Sequence, residues 1–296
     1  MFYEAKGDSV QIARMYMDSL LVESRIVGAV RPDTTFRFLG ETFDMPVMTA
    51  ALSHLDLVSM AEGAKLAGAC VSIGMGRNDE LGSVLSTGAK VMKIIKPYAD
   101  EKEIFSRIEY AEANGAVAVG MDVEHAVNVD DAEDSVIVGL QMKQPSLAEL
   151  ERYIRSTKLP FFIKGALSAY DALRCRDLGA AGLILSHHNG LMRYAVPPVM
   201  VLPEIRRAIG RDLILIADGG IESGFDAFKA LARGADAVTM GKALMAPLKE
   251  KGAEGVRETL IKAAGQLKAM MIRTGIKDLK HMDPSVIYEP AGYRHG

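Results

Sequence analysis

The sequence predicts a single (β/α)8 barrel, and three observations carry that prediction. Eight short apolar runs, rich in β-branched residues, recur along the 296 residues, each followed by turn residues and then a helical pattern. A strand buried on both faces reads as a continuous apolar run, which suits parallel strands under helices. The return from helix to strand repeats a glycine next to a small residue, as at Ala67-Gly68, Gly179-Ala180 and Gly234-Ala235. A glycine there takes the left-handed C′ conformation at little steric cost. Eight such units in this length match a barrel of about 250 residues. An open doubly wound sheet would carry GxGxxG after its first strand, and none stands there.

Taken in order, residues 1–45 are expected to form a leader with a helix near 10–22. Strands are expected at 46–51, 69–74, 91–96, 117–122, 161–165, 182–186, 213–218 and 237–241. Amphipathic stretches at 57–66, 101–113, 147–156, 169–178, 203–209 and 224–232 supply helices between them. Residues 265–296 follow as a final helix and tail. No linker or low-complexity stretch interrupts the sequence, so 1–296 is expected to be one domain.

Composition narrows the function. Lys plus Arg total 35 against 38 Asp plus Glu, a net charge of −3, which gives no footprint for nucleic acid or an anionic membrane. Aromatics are 6% with no Trp, against stacking platforms for single strands or sugars. Cys70 and Cys175 form no CxxC, so they read as small buried hydrophobes and not as a disulfide scaffold or zinc site. No metal site is expected. Neither a signal-peptide core nor an apolar run of membrane length is visible, which points to the cytoplasm.

In such a barrel, functional residues gather at the C-terminal ends of the strands. Those ends carry Ser72, Lys93 and Lys96, Asp122, Lys164, Ser186-His187-His188, Asp218-Gly219-Gly220 and Gly241-Lys242. One charged strand end is common, but their joint occurrence on a single face points to a site. The glycines after strands seven and eight open helices, where free N–H groups favour a phosphate.

The stretch Lys164-Gly165, residues 182–188, Leu202-Pro203-Glu204-Ile205 and residues 217–235 resembles the FMN-dependent α-hydroxy acid oxidase and dehydrogenase family. The resemblance is strongest over 158–245 and collinear over about 35–125. It implies FMN as cofactor. Ser186-His187-His188-Asn189-Gly190 stands for the family's Ser-Asn-His-Gly-Gly, making His188 the general base and Asp122 the carboxylate that orients it. Lys164 matches the lysine beside the flavin N1 and O2. Ala50, Ala51, Leu52 and Ser72 fall where the family lines the isoalloxazine ring, and Lys93 falls at a flavin-pyrimidine contact. Asp218, Gly219, Gly220, Gly241 and Lys242 fall in the ribityl-phosphate loops. A carboxylate behind a histidine fixes its tautomer, as proton abstraction demands. Neighbours on a strand face opposite ways, so His187 is expected to pack under a helix. His125 is a further candidate to line the pocket.

Departures from the family limit the substrate. Its two carboxylate-binding arginines are Val129 and Leu191 here, its strand-three Gln and Tyr are Lys93 and Ile95, and Glu222 and Lys242 replace phosphate-loop arginines. Arg193 is either a replacement substrate clamp or a solvent-facing loop residue. Tyr3 resembles a family tyrosine near the substrate. Together these imply an FMN-dependent oxidoreductase acting on a hydroxy-carbon other than a simple small 2-hydroxy acid, with an unspecified electron acceptor and a homo-oligomeric state. Two alternatives stay open. One is a non-redox FMN enzyme similar to type 2 isopentenyl-diphosphate isomerase; the other is a flavin-binding protein without turnover.

Overall fold

A parallel ladder runs through eight strands of the computed structural model, which describes residues 6–126, 140–188 and 190–289. The strands are β1 (Val47–Thr49), β2 (Val71–Ile73), β3 (Val91–Ile95), β4 (Ala118–Asp122), β5 (Phe161–Lys164), β6 (Gly182–Leu185), β7 (Ile214–Asp218) and β8 (Ala237–Met240). Each from β2 to β7 pairs with its successor, and β8 pairs in parallel with β1. The β1–β2 seam closes the circle by other means. Leu52 bridges Ile73, and the Thr49 hydroxyl stands in for a backbone rung. It donates to the Ser72 carbonyl at 2.9 Å and accepts from the Ser72 N–H at 2.8 Å.

The helices are α1 (Ser9–Ser19), α2 (Leu57–Leu66), α3 (Asn78–Ser86), α4 (Glu101–Ala113), α5 (Leu147–Arg155), α6 (Ala169–Asp177), α7 (Pro198–Ile209), α8 (Gly224–Ala232) and α9 (Lys242–Arg273). Side-chain caps fix most of their starts: Asp8, Asp56, Asp100, Ser168 and Ser223 each accept from first-turn N–H groups. Ser146 and Glu149 form a reciprocal capping box. Each cap contributes about 1 kcal/mol.

Three boundaries differ from the sequence reading. α7 begins at Pro198, the favoured first position for proline, and Pro203 lies inside it. The leader helix stops at Ser19 because Leu21–Val22 leaves to pair antiparallel with Ile287–Tyr288. The final helix begins far earlier than 265, since α9 runs from Lys242 and is broken only at Gly252, where φ is 59°.

The lower barrel interior is apolar. Met48, Cys70, Met92, Ile94, Ala118, Phe162, Ile184, Ile216 and Ala237 form one cluster with Phe36, Phe38 and Phe43. Those three phenylalanines come from an antiparallel hairpin, Phe36–Phe38 against Glu41–Phe43, within the expected leader. Its Phe38 ring lies 6.1 Å from that of Phe162, so the hairpin plugs the N-terminal mouth. Gly182 gives the Phe162 ring its room, because a methyl there would collide with it. With that end packed by the hairpin, the strands' C-terminal ends are the face where polar side chains gather.

Candidate active site

The alternation of β3, β4 and β5 brings three charged residues together. Met92 and Ile94 face the interior, so Lys96, two residues on, faces it as well. The same step carries Ala118 to Asp122 and Phe162 to Lys164. Asp122, Lys164 and Lys96 are 2%, 3% and 5% exposed. A single carboxylate oxygen joins them: Asp122 Oδ2 accepts from Lys96 Nζ at 3.1 Å and from Lys164 Nζ at 3.1 Å.

His188 completes the cluster from the loop after β6. Its Nδ1 lies 2.7 Å from Asp122 Oδ2 and 3.0 Å from Lys164 Nζ. An ammonium can only donate. The shorter contact to the carboxylate favours an Nδ1 proton on the Asp122 side, a tautomer that would leave the Nε2 lone pair free. The backbone at His188 is left-handed, with φ 41°, which is uncommon for a non-glycine residue. Its N–H donates to Ser186 Oγ at 3.0 Å, which ties down this turn. The His125 ring meets the His188 ring edge-on, with centroids 4.2 Å apart.

Charge and burial compete at every member. Burial would raise the Asp122 carboxyl, but the Lys164 charge, the His188 hydrogen bond and the Lys96 charge hold it well below the usual carboxylate range. Burial works to lower Lys164, yet the negative charges of Asp122 and Asp218 raise it above an ordinary lysine. Lys96 is pulled down to about 8 by burial, against the opposing charge of Asp122. Burial lowers His188, and the Lys164 charge adds to this against the Asp122 bond, so a neutral imidazole is favoured. Burial pushes Glu124 up to about 7 and His125 down to about 3, the latter aided by Lys96.

Ser72 lies two residues beyond the interior Cys70, and its buried Oγ has no hydrogen-bond partner among the described residues. Such an orphaned hydroxyl, beside a buried cationic cluster, suits a polar ligand above the barrel floor. Ala50 and Leu52 line the same rim beside Gly241, where a methyl would stand 3.1 Å from Ala50 Cβ and 3.6 Å from Leu52 Cδ2. Ala51 packs against the interior cluster.

Of the two helix starts that the sequence marks for phosphate, one is already satisfied. At α8, Gly224 N–H donates to Gln266 Oε1, Asp226 N–H to Ser223 Oγ and Glu222 N–H to Asp226 Oδ2. Arg14 from α1 closes over this turn, donating to the Gly220 carbonyl at 3.0 Å and to Asp226 at 2.8 Å. The start of α9 has no side-chain cap, and Lys242 there is exposed. Gly219 and Gly220 have φ of 112° and 75°, which lets the β7 loop turn beside it. Asp218 accepts from Thr239 Oγ1 at 2.7 Å.

Two expected site residues lie elsewhere. Lys93 alternates with the inward Met92 and Ile94, so it faces the outer layer, where its Nζ donates to the Gly74 carbonyl at 2.6 Å. Ile95 also belongs to that outer layer. The inward cation of β3 is therefore Lys96, two residues beyond the last inward apolar position, and not Lys93. Arg193 is exposed and donates to the Lys6 carbonyl at 2.5 Å, which ties it to the leader and away from Asp122. His187 is buried, and its Nε2 would lie 3.6 Å from a methyl at Gly219. Leu191 is partly exposed. Tyr3, Val129 and Asn189 lie outside the described residues. The sequence reading missed Glu124, since a residue after a strand end in a short 3₁₀ turn has no periodic signal.

Comparisons with known proteins point to one family. A family model described as FMN-dependent dehydrogenase matches residues 5–144 and 128–289. An L-lactate oxidase of Alicycliphilus denitrificans is 39% identical over 153 residues, covering 50% of this chain and 42% of that protein. An L-lactate oxidase of Lactobacillus jensenii is 26% identical over 304 residues, covering 89% and 74%. The chain thus spans less than half of the first relative and about three quarters of the second. A mandelate oxidase mutant with the monooxide FMN adduct superposes with a TM-score of 0.86 at 25% identity, covering 95% of this chain and 91% of that one. No helix among the described residues is long and apolar enough to cross a membrane. With the family model matched along nearly the whole sequence, the chain belongs to the FMN-dependent dehydrogenase family.

Proposed function

We propose that this protein is an FMN-dependent oxidoreductase that oxidises a hydroxy-bearing carbon with His188 as general base. The observation that carries the reading is the His188–Asp122–Lys164 cluster at the C-terminal face of the barrel. Ser72, Lys164 and the Ala50-Ala51-Leu52 rim would hold the flavin ring. Asp218, Gly219, Gly220, Gly241 and Lys242 would hold the ribityl phosphate, with the uncapped start of α9 as the main anion contact. FMN, when bound, would accept the hydrogen on the substrate carbon together with its two electrons. The Nε2 of His188 takes the proton from the substrate hydroxyl, and Asp122 keeps the Nδ1 proton in place throughout. Lys164 keeps Asp122 ionised and offers positive charge where the ring would lie.

The substrate is proposed to be something other than a small 2-hydroxy acid, although relatives are named L-lactate oxidase and 2-hydroxyacid oxidase. The cations that meet Asp122, Lys96 and Lys164, are both already paired with it. Leu191 holds the place of one arginine and Arg193 bonds to the leader. Each missing charge-assisted pair is worth roughly 1.5–3 kcal/mol. Lactate, glycolate and mandelate are therefore expected to bleach the flavin poorly. Anaerobic mixing with these acids and with larger or uncharged hydroxy compounds tests this directly. Rapid bleaching by millimolar lactate would refute it, and Arg193→Ala would then show whether that arginine swings in. A homo-oligomeric state belongs to the same proposal and is read by light scattering.

A further inference from the structure

We propose that Lys96 is a positioning residue for His188: with Lys164 it overmatches the charge of Asp122, so that the imidazole behind which they sit stays unprotonated and ready to accept a proton. The proposal rests on the reading of His188 as base. Its geometry is a single carboxylate oxygen with three donors, Lys96 Nζ and Lys164 Nζ at 3.1 Å and His188 Nδ1 at 2.7 Å.

A lone aspartate behind a histidine stabilises the imidazolium as well as the tautomer. One lysine on that aspartate cancels its charge, and a second reverses it. Protonating His188 would then set a third cation around one oxygen. Asp122 therefore keeps its hold on the Nδ1 proton, while the two lysines oppose its pull on a second proton at Nε2.

Other charged and titratable groups act on the same cluster. From the turn after β4 come Glu124, pushed up to about 7, and His125, pushed down to about 3. The first is about half ionised at neutral pH and the second is uncharged. Asp218 on β7 acts on Lys164 and Glu124. Lys96 itself, pulled down to about 8, still carries its charge at neutral pH.

Burial makes the lysine informative. Lys96 is 5% exposed, and an apolar side chain of similar volume would fill its place without the desolvation that a buried ammonium suffers. Its charge, not its volume, is what Asp122 meets.

The test is an NMR titration of the purified holoprotein carrying ¹³C-labelled histidine, without substrate, with the His188 signal assigned through His188→Gln. Lys96→Met and Lys96→Gln are expected to raise the His188 midpoint by about one pH unit or more, and Lys96→Arg to leave it near the wild-type value. The acid limb of kcat should move the same way, with KM changing less than about threefold. An unchanged His188 midpoint in the neutral variants that fold would overturn the proposal. So would a KM raised about tenfold or more with the limb unmoved, which would make Lys96 a substrate ligand. Full activity in His188→Ala would defeat the base assignment instead, and the titration reads Lys96 independently of that outcome.

Discussion

At the lower end of the barrel interior stand Cys70, Ile94, Phe162, Ile184 and Ile216, packed with the phenylalanines of the hairpin plug. Two residues further along the same strands stand Ser72, Lys96, Lys164, Ser186 and Asp218. One step of the strand repeat converts an apolar layer into a charged one. The lower layer contributes stability, because it buries large side chains with no polar group to satisfy. The upper layer spends some of that stability on holding ionised groups out of water. If the upper layer carries the reacting groups, this barrel separates stability from chemistry by height, and substitutions at the two heights should fail in different assays.

The largest separation is expected from His188→Ala. Substrate-driven flavin reduction should fall to background while FMN stays bound and the unfolding midpoint moves by less than about 3 °C. Retained activity would move the base elsewhere, with His125 next in line. The converse substitution is Phe162→Ala in the lower layer, which should cost about 3–5 kcal/mol in chemical denaturation and leave kcat of the folded fraction unchanged. A comparable loss of kcat would show that the two layers are coupled. Asp122→Asn should slow flavin reduction by about 10²-fold, and it should also destabilise the protein, since it leaves Lys96 and Lys164 buried without their counter-charge. The pH profile sharpens the same contrast. Because burial and Lys164 lower His188, the base is neutral above its depressed value, so the acid limb should lie below about 6.5; a limb above 7 would contradict the charge balance described. The smallest effect belongs to Ser72→Ala, which should weaken FMN binding about fivefold, the loss of one hydrogen bond. Unchanged FMN affinity would remove Ser72 from the cofactor site.

The eight strands were legible because each is a continuous apolar run with a glycine-marked return. The helices at Leu57–Leu66, Glu101–Ala113 and Gly224–Ala232 match their sequence limits, since an Asp or Ser cap marks each start. Helix α3 was not read: its N-cap is Arg77, which makes no side-chain cap bond, and Gly82 weakens its pattern. The hairpin at Phe36–Phe43 escaped notice because two three-residue strands give too short an alternation. In the site, Asp122, Lys164 and His188 were legible from strand ends and from the family motif, and the structure joins them. Lys93 was assigned from motif alignment, whereas the inward set on β3 is decided by which residues pack with Phe162, a long-range fact. Lys96 was visible as a charged strand end, but its role emerges only when β3 and β4 are adjacent and Asp122 is within reach. Glu124 and His125 needed the turn after β4 to be folded.

The central claim is that the charged upper layer is an FMN site, and the flavin content of the purified protein tests it most directly. The account predicts a yellow protein that releases about one FMN per chain on denaturation, or takes it up when FMN is added. Because Glu222 and Lys242 stand where the family motif has arginines, partial retention through purification agrees with it. A colourless protein that binds no added FMN would contradict it.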